Sequence, residues 1–600
     1  MILLILASFV QFFIGWEFYK SSINGIKNKI ADMNLLIVIG TSVAYFYSVS
    51  VILFPSLFPA NMKNLYFDSS CAIISFVLLG RYLEIKSRSK ATEFMKKLLS
   101  LKPEKARVIK ENTEILVPVE KIKKGDLLAV KAGEKIPTDG KIIHGEAEID
   151  ESMLTGESFP VFKKVGDRVI GGTILIDGYI KFYAERVGKD TTLFQIIKLL
   201  LEAQSKKPPI GRLADKITAF FVPAILIIAI LVFDAWFLLK NDLQMAILAC
   251  VSVLIIACPC ALGLATPIAI IATIGRGAKE GILIKNPEVI EVIKDVDIAI
   301  FDKTGTLTHG RFYVKDTDIT DPKILELIAT AEKYSTHQIA RAILDYAVSK
   351  GIYPKEPDYY KNIVGKGIYA KVKDKEIYIG NKELLKDLGL NIEETEMLTT
   401  VFAVINRKVV GKFYLEDKIK EETKEVIRFF KEKGIDIVLL TGDNQSVAEK
   451  VSKELGINRF KANISPKGKY EYVEDLQRKG KKVLFVGDGI NDAPAMGKAD
   501  VGIAVNHGTQ IAKEAGDIIL LKDSLLAVVQ AFSLSEESYK TIKQNLFWAY
   551  IYNLIFIPVA SGILYPFFKI LLKPTFAGMA MSMSSVTVVL NALRLYSKKL

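Results

Sequence analysis

Cysteine and histidine are scarce in this sequence, with four of each in 600 residues. Four cysteines cannot form a disulfide scaffold in a chain of this size, so a disulfide-stapled fold is excluded. Cys258 and Cys260 are separated only by Pro259, a spacing that suits metal ligation better than a disulfide. No internal repeat or low-complexity tract is present either.

The sequence also lacks any motif of interleaved basic and aromatic residues, so its formal net charge of +13 does not indicate a nucleic-acid partner. Lysine-rich runs flank apolar segments instead, which favours contact with membrane lipid at a cytoplasmic surface. At 50% hydrophobic and 24% charged, the chain is too apolar for a soluble protein and too charged for a pure membrane bundle.

Seven apolar runs are long enough to cross a bilayer. Lys and Arg are denser after the first and third runs and at the carboxyl terminus, which predicts that this side is cytoplasmic. We expect a multi-pass protein of the cell membrane, plasma or inner, with spans at about 2–20, 33–56, 66–86, 217–239, 243–272, 545–568 and 576–595.

Two polar stretches separate these runs, and an even number of crossings between them predicts that both are cytoplasmic. The first, 87–216, has short Val/Ile/Leu runs broken by Gly, Pro and Asp, which indicates a β domain. The second, 273–544, has apolar runs that end in Gly/Asp turns and alternate with helical segments, the pattern of a parallel α/β sheet. An insert at 313–415 is rich in antiparallel-looking strands.

Asp302 follows the apolar run DIAIF and precedes a turn through Gly305, which presents its carboxylate as a nucleophile. A carboxylate that attacks a phosphoryl group forms an acyl phosphate and divides one difficult hydrolysis into two easier steps. Neutralising the phosphate requires Mg²⁺, hard oxygen ligands and positive charge. Candidates at neighbouring strand ends are Asp488, Asn491, Asp492, Thr441, Asp443 and Lys469.

The motif DKTGTLTHG resembles the phosphorylation signature of the P-type ATPases, and TGES at 155–158 resembles their dephosphorylation loop. The resemblance implies that Mg²⁺ and ATP are cofactors and that Glu157 is the general base that activates water. It implies the catalytic residues Asp302, Glu157, Thr304, Lys469 and Thr441, and the Mg²⁺ ligands Asp302, Thr304, Asp488 and Asp492.

The family's fold is a multi-domain membrane protein. It has an α-helical transmembrane bundle, a cytoplasmic β-rich actuator domain, an α/β haloacid-dehalogenase-like phosphorylation domain and an α+β nucleotide-binding domain. The resemblance implies transmembrane helices at 1–86 (three spans), the actuator domain at 87–216, transmembrane helices with the Cys-Pro-Cys motif at 217–272, the phosphorylation domain at 273–312 and 416–544, the nucleotide-binding domain at 313–415, and two last spans at 545–600.

The insert resembles the family's nucleotide-binding domain through STHQIA, GKGIYA and IGN. Thr336 and Gln338 depart from the family pattern, which has Glu and Pro at these places. The resemblance implies nucleotide contacts from His337, Gly365, Gly367, Gly380 and Asn381.

Pro259 lies in the middle of the fifth run, where it removes an amide donor and clashes with the preceding turn. The helix is expected to unwind there and to free backbone carbonyls, which is tolerated only where they line a site. Two thiolates at such a break select Cu(I), with Ag(I), Zn²⁺ and Cd²⁺ as competitors. Cys258-Pro259-Cys260 resembles the motif of the heavy-metal-transporting P-type ATPases, whereas Cys71 and Cys250 are interpreted as packing residues.

The last two runs favour copper, because the spacing of Asn545, Tyr552-Asn553 and Pro558, and of Met581 with Ser584-Ser585, resembles the Cu(I) subgroup. A Zn²⁺/Cd²⁺ pump is expected to offer an intramembrane carboxylate, which the final run lacks, and none of the four histidines lies in a run. The resemblance implies Cu⁺ sites at Cys258, Cys260, Tyr552, Asn553, Met581 and Ser584, a cytoplasmic site where the metal enters at Met33, Glu84 and Asp215, and an exit position at Asp68.

We predict ATP-driven Cu(I) export through an aspartyl-phosphate intermediate. ATP, Cu⁺ (or Ag⁺) and a cytoplasmic copper chaperone are the expected partners. A Zn/Cd-transporting P-type ATPase is one alternative, and a membrane-tethered metal sensor or phosphatase, which would not need both TGES and an unwound helix, is another. The family has eight spans that begin with a helical pair, and residues 8–21 resemble the second helix of that pair. We therefore expect a shortened form that lacks the first helix and an amino-terminal CxxC domain.

Overall fold

The computed structural model divides the chain into two compact units, Met1–Lys294 with Phe532–Leu600, and Asp295–Ala531. Apolar helices and one sheet characterise the first unit, and two further sheets lie in the second. The structure describes residues 2–28, 33–58, 63–91, 97–98, 100–101, 103–111, 113–155, 159–206, 208–258, 260–335, 337–363, 365–390, 399–488, 491–505 and 515–598.

The longer helices of the first unit, with Leu526–Ala560 counted here, are Ile2–Ser8, Phe9–Ile14, Trp16–Lys27, Met33–Leu53, Phe67–Ala91, Thr192–Ser205, Pro209–Lys240, Leu243–Ile256, Cys260–Lys279 and Pro574–Leu593. Among the described residues, the segments long and apolar enough to cross a membrane are Asn34–Leu53, Lys216–Leu238, Leu243–Lys279 and Pro574–Tyr596. The pair Ile2–Ile14 and Trp16–Lys27, bent by 49°, makes a fifth if it is one span.

The two other predicted runs, 66–86 and 545–568, lie largely in helices Phe67–Ala91 and Leu526–Ala560. Charged residues interrupt the apolar stretch in the first of these helices, and the second ends before its run does. For that reason the described helices offer fewer clear spans than the seven expected.

The helix that leads to Cys258 is interrupted where Pro259 predicts a break. Leu243–Ile256 ends before Cys258, and Cys260–Lys279 begins a new helix. The Cys258 amide donates to the Ile255 carbonyl at 3.1 Å, in a tighter turn than the helical pattern. Helix Pro574–Leu593 packs against both halves, so the break lies inside the helical bundle.

The sheet of the first unit has seven strands and an apolar core formed by alternating side chains of its long strands. The strand order is Thr113–Pro118, Lys105–Lys110, Leu127–Lys131, Ile174–Arg186, Asp139–Asp150 and Val161–Lys163, and Arg168–Val169 pairs with Asp139–Asp150. This confirms the β-rich fold predicted for this part of the chain.

A parallel sheet forms the base of the second unit. Its strands in this unit follow the order Arg459–Lys461, Asp436–Leu440, Ile298–Asp302, Val483–Gly487, Val501–Ala504 and Ile518–Leu520. Helices Thr423–Glu432, Gln445–Leu455, Pro466–Arg478 and Ala493–Lys498 connect these strands. The register pairs Leu440 with Asp302 and Val486 with Phe301, so the carboxyl ends of the central strands meet at one edge.

An antiparallel sheet completes the second unit. Its strand order is Thr308–Thr317, Lys408–Ile419, Thr399–Ile405, Lys375–Gly380, Gly367–Val372 and Tyr359–Ile363. Helices Pro322–Glu332, Gln338–Ser349 and Lys382–Asp387 accompany it. The chain passes between the two sheets along Thr308–Thr317 and Lys408–Ile419, which pair with each other from Thr308 opposite Ile419.

Candidate functional site

Asp302 occupies the carboxyl end of the central parallel strand, whose five residues are all buried. Its own side chain is buried and accepts a hydrogen bond on Oδ1 from Lys469 Nζ at 2.5 Å. Lys469 also donates to Asp492 Oδ1 at 2.6 Å. A single ammonium thus bridges two carboxylates that are brought together from separate strand ends.

Asp302, Asp488 and Asp492 each present a carboxylate oxygen, and these oxygens lie within 4.8 Å of one another. Burial raises the pKa of Asp302, repulsion from Asp492 adds to this, and the charge of Lys469 offsets part of it. Three hard oxygen donors with an excess of negative charge match the ligand preference of Mg²⁺. The residues present therefore fit this ion.

The turn after Asp302 requires glycine at position 305. Gly305 has φ +72°, and a Cβ placed there would lie 1.9 Å from Asp488 Oδ2. The Gly305 amide donates to Thr308 Oγ1 at 3.2 Å, and Thr308 Oγ1 donates to Asp417 Oδ2 at 2.5 Å. The absence of a side chain at Gly305 is what lets Asp488 approach the turn after Asp302.

Other residues predicted for catalysis surround this loop. Thr441 is buried at the next strand end, and its hydroxyl accepts a hydrogen bond from the Asp443 amide at 3.1 Å. Lys303 is buried and forms an ion pair with Asp443. Thr304 is half-buried within the turn, with φ −74° and ψ 125°.

A cavity of about 490 Å³ opens in the antiparallel half of the second unit. All five residues predicted to hold nucleotide line it: His337, Gly365, Gly367, Gly380 and Asn381. Gly367 has φ +149°, and a Cβ there would lie 2.1 Å from the Ile379 carbonyl oxygen. Backbone atoms rather than side chains therefore form much of this wall.

Glu332, which the sequence analysis missed, also lines the cavity. Its side chain is 3% exposed, and among the described residues its Oε2 has no hydrogen-bond partner. Burial raises its pKa to about 8. A signal was available, because Leu325, Ile328 and Glu332 recur at helical spacing on one buried face of Pro322–Glu332.

His337 caps helix Gln338–Ser349, with its Nδ1 accepting from the Ile339 amide at 3.3 Å. Gln338 occupies the first helical position, where proline is favoured in helices generally. Thr336, the other departure from the family pattern, lies outside the described residues.

In the helical bundle, Cys258 and Met581 belong to one buried apolar cluster, with exposed fractions of 3% and 6%. Ser584 is buried one turn beyond Met581 on the same helix. Tyr552 and Asn553 are half-buried on helix Leu526–Ala560, where Tyr552 stacks on Phe556. Among the described residues, only Cys258 and Met581 of the predicted copper ligands are members of that cluster.

The other predicted site residues lie apart from these clusters or outside the described part of the chain. Glu157 lies outside the described residues. Asp68 is exposed in the first turn of Phe67–Ala91. The side chains of four further residues also lie outside the described part of the chain, although their backbones are helical: Met33, Glu84, Asp215 and Cys260.

Comparison with known proteins agrees with these features. A family model of haloacid dehalogenase-like hydrolases matches residues 296–500, and one of the P-type ATPase actuator domain matches residues 100–201. A copper-exporting P-type ATPase of Staphylococcus epidermidis is 44% identical over 610 residues, covering 100% of this chain and 76% of that protein. One of Staphylococcus aureus is 43% identical over 609 residues, covering 99% and 75%.

Two solved structures are similar over almost the whole chain, and both are of zinc-transporting PIB-type ATPases. The first has a TM-score of 0.58 at 30% identity, covering 97% of this chain and 93% of that chain. The second, in a different state, has a TM-score of 0.55 at 29% identity, covering 99% and 98%.

Proposed function

This chain belongs to the family of copper-exporting P-type ATPases, and on that premise we propose that it couples ATP hydrolysis to export of Cu(I) across the cell membrane. The observation that carries the proposal is a buried aspartate among carboxylates and a lysine, in a chain that also buries Cys258 and Met581 in one cluster at a helix break. The family prediction from the sequence is thereby confirmed.

Asp302 acts as the nucleophile in this proposal. A carboxylate oxygen attacks the γ-phosphorus of ATP and forms a new O–P bond, which makes an acyl phosphate. The bond between the γ-phosphorus and the β–γ bridging oxygen breaks, and ADP leaves with its electron pair. Lys469 holds Asp302 Oδ1 at 2.5 Å and thereby orients the attacking group. Its ammonium and that of Lys303 offset part of the charge of the transferred phosphoryl group, and the Thr441 hydroxyl donates a hydrogen bond to it.

Mg²⁺ would be held by Asp302, Asp488 and Asp492, with Thr304 as a further ligand. When bound, it neutralises phosphate charge and lowers the repulsion among the three carboxylates. Gly305 serves this arrangement by leaving room for Asp488.

ATP occupies the cavity of about 490 Å³. Glu332 recognises the adenine edge, because a buried carboxyl with an unused oxygen can pair with the exocyclic amine. His337 and the glycine-rich walls at 365, 367 and 380 admit the flat base, and Asn381 holds the loop by donating to the Gly365 carbonyl at 3.0 Å.

Water then attacks phospho-Asp302, with Glu157 as the general base, and releases inorganic phosphate. Cu(I) binds at Cys258, Cys260 and Met581, soft sulfur ligands that suit a monovalent soft ion. The transport sites are completed by Tyr552, Asn553 and Ser584. The ion arrives from the cytoplasm or from a copper chaperone at Met33, Glu84 and Asp215. It leaves past Asp68.

Zinc is the second candidate metal, because zinc-transporting ATPases share the fold at 30% and 29% identity. Copper is favoured by the higher identity of the copper-exporting relatives and by the sulfur ligands in the buried cluster. Purified protein in sealed vesicles, given ATP and either Cu(I) or Zn²⁺, should hydrolyse ATP and move Cu(I) more than tenfold faster than Zn²⁺.

Cys258→Ser should abolish this copper stimulation while leaving phosphorylation by inorganic phosphate intact, since the change spares Asp302 and its neighbours. Cys250→Ser is the matched control, because it makes the same change on the helix that leads to Cys258, at a residue packed against the same cluster. Zinc-stimulated turnover, or full copper stimulation in Cys258→Ser, would contradict the proposal. ATP hydrolysis without metal movement would favour a tethered phosphatase.

A further inference from the structure

We infer that Lys366 binds the phosphates of the nucleotide and sets the orientation of ATP in its cavity, an inference that rests on the nucleotide site proposed above. Lys366 lies between Gly365 and Gly367 and lines the cavity. Among the described residues of that lining, it is the only lysine, and arginine is absent. ATP carries several negative charges, so the position of this cation decides which end of the cavity favours them.

Burial gives the cavity two unlike ends. Glu332 is 3% exposed, whereas the Lys366 side chain is 38% exposed. A phosphate chain is strongly hydrated, so its burial beside the Glu332 carboxyl, where water is excluded, is unfavourable. The base therefore lies toward Glu332 and the phosphates lie toward Lys366, at the solvent side.

The backbone at Lys366 is fixed by its neighbours. Its carbonyl accepts the Asn381 amide at 2.9 Å, and a Cβ at Gly380 would lie 2.2 Å from that carbonyl oxygen. Gly365 and Gly367 flank it with φ +74° and +149°. This tight contact positions the start of the Lys366 side chain beside the residues proposed to hold the base.

Asp387 holds the ammonium of Lys366 in an ion pair at the end of helix Lys382–Asp387. Asp387 is 52% exposed, and an exposed ion pair of this kind contributes little stability. A phosphate group can therefore take Lys366 from Asp387 at small cost. Asp387 competes with the nucleotide for the same cation. Removal of Lys366 should therefore lower ATP affinity, and removal of Asp387 should raise it.

Lys361 provides a matched control. It lies on strand Tyr359–Ile363 between Tyr360 and Asn362, which both line the cavity, while Lys361 is exposed and is not among the lining residues. Successive side chains of a strand point to opposite faces. Lys361→Gln thus removes the same charge from the same domain without touching the site.

The test is calorimetric titration of the full chain in detergent, without Mg²⁺, with ATP, ADP, AMP and adenosine. Lys366→Gln should lower ATP affinity about 3- to 10-fold and adenosine affinity less than about 2-fold, the size expected for one partly exposed charge contact. Asp387→Asn should raise ATP affinity about 2-fold, and Lys366→Arg should retain the preference for ATP over adenosine. The Lys366 effect should shrink at high salt, because exposed charges are screened.

Equal losses for ATP and adenosine in Lys366→Gln, or no loss for ATP, would overturn the inference, as would an equal effect of Lys361→Gln. Labelling of Asp302 by ATP separates this failure from failure of the proposed function. If wild-type protein is phosphorylated and Lys366→Gln needs no more ATP for half-maximal labelling, only the role of Lys366 is wrong. If wild-type protein is not phosphorylated, the proposed function itself fails.

Discussion

The proposed catalytic centre and the proposed nucleotide cavity of the second unit accommodate buried carboxyl groups in opposite ways. At the parallel sheet, Lys469 bridges Asp302 and Asp492, so the buried charges already compensate one another in part. In the cavity, Glu332 is as deeply buried, yet among the described residues its Oε2 has no hydrogen-bond partner. In the first site a lysine offsets part of the buried negative charge, whereas the second leaves a polar atom for its ligand.

This difference predicts how each site responds to substitution. Removing one member of a buried charge cluster leaves the others uncompensated, so changes there should be severe. Removing a buried carboxyl with one unsatisfied oxygen relieves a cost of folding while it deletes a proposed recognition element, so stability and binding should move in opposite directions. The effects of substitutions on stability should therefore differ between the two regions in sign as well as in size.

The largest effect is expected for Asp302→Asn, because it removes the proposed nucleophile and one of the two carboxylates that Lys469 bridges. We expect acid-stable phosphoenzyme formed from labelled ATP to fall by at least about 1,000-fold. Asp297→Asn is the control on the adjoining segment, since Asp297 is a surface carboxylate that accepts from the Lys482 amide at 2.8 Å. Substantial labelling of Asp302→Asn would place the acyl phosphate on another residue.

Gly305→Ala tests whether space beside Asp488 matters apart from backbone strain. A Cβ would lie 1.9 Å from Asp488 Oδ2, so Asp488 must move and phosphorylation should fall about 10- to 100-fold. Gly434 has the same φ of +72° but nothing within 4 Å of an added Cβ. Gly434→Ala should cost about 1 kcal/mol of stability and leave phosphorylation unchanged. Equal losses in both variants would mean that strain alone is responsible.

The grouping of the candidate catalytic residues could be predicted from the sequence because these residues lie at the ends of apolar strands of a parallel sheet. Asp302, Thr441 and Asp488 each follow such a strand, and parallel register brings strand ends to one edge. The sequence could not show that Lys469 bridges two carboxylates, since that contact joins residues 167 positions apart. The fold class was also predictable, because apolar runs, β-rich stretches and α/β alternation occupy separate parts of the chain.

Glu332 was missed for a different reason. Its position follows from the periodicity of helix Pro322–Glu332, but an acidic residue at a helix end is usually solvated, and no motif marks it. Helical spacing places Glu332 on the buried face, but the extent of its burial is seen only in the structure. Sites formed by local strings of residues are thus easier to predict than sites formed by burial.

Glu332→Gln tests whether removal of the buried carboxyl stabilises the chain while it weakens ATP binding. The pKa of Glu332 is about 8 in the folded chain, above its usual value of 4.5, so wild-type stability should fall as pH rises from about 4.5 to 8. The variant lacks this dependence. At pH 7 it should be more stable than wild type by up to about 3 kcal/mol, with no difference near pH 4, while ATP binds more weakly.

Thermal unfolding of the full chain at pH 4, 6 and 8 measures the effect on stability. Glu326→Gln is the control on the same helix, where the ion pair with Lys355 at 2.7 Å lowers the pKa of a surface carboxylate. A Glu332→Gln variant that is less stable than wild type at pH 7 would contradict the prediction, because it would show that the contacts of the carboxyl outweigh the cost of burying it.

The smallest effect on stability is expected in strands Thr308–Thr317 and Lys408–Ile419, along which the chain passes between the two sheets of the second unit. Glu416 on Lys408–Ile419 accepts from Tyr313 at 2.7 Å, and it forms ion pairs with Lys315 at 2.8 Å and Lys450 at 2.6 Å. Burial alone would raise the pKa of Glu416, but hydrogen bonds from Lys315, Lys450 and Tyr313 overcome it and lower the pKa to about 2.

A lowered pKa contributes stability that is present above the unfolded value of 4.5 and is lost as pH falls toward 2. Glu416→Gln should therefore destabilise the chain by about 1 to 2 kcal/mol at pH 7 and by progressively less between pH 5 and pH 3, opposite in sign to Glu332→Gln. Thermal unfolding at pH 7, 5 and 3.5 provides the measurement, with Glu421→Gln, an exposed carboxylate beyond the same strand, as the control. A loss of stability that does not shrink in acid would mean that Glu416 acts through packing rather than through its charge.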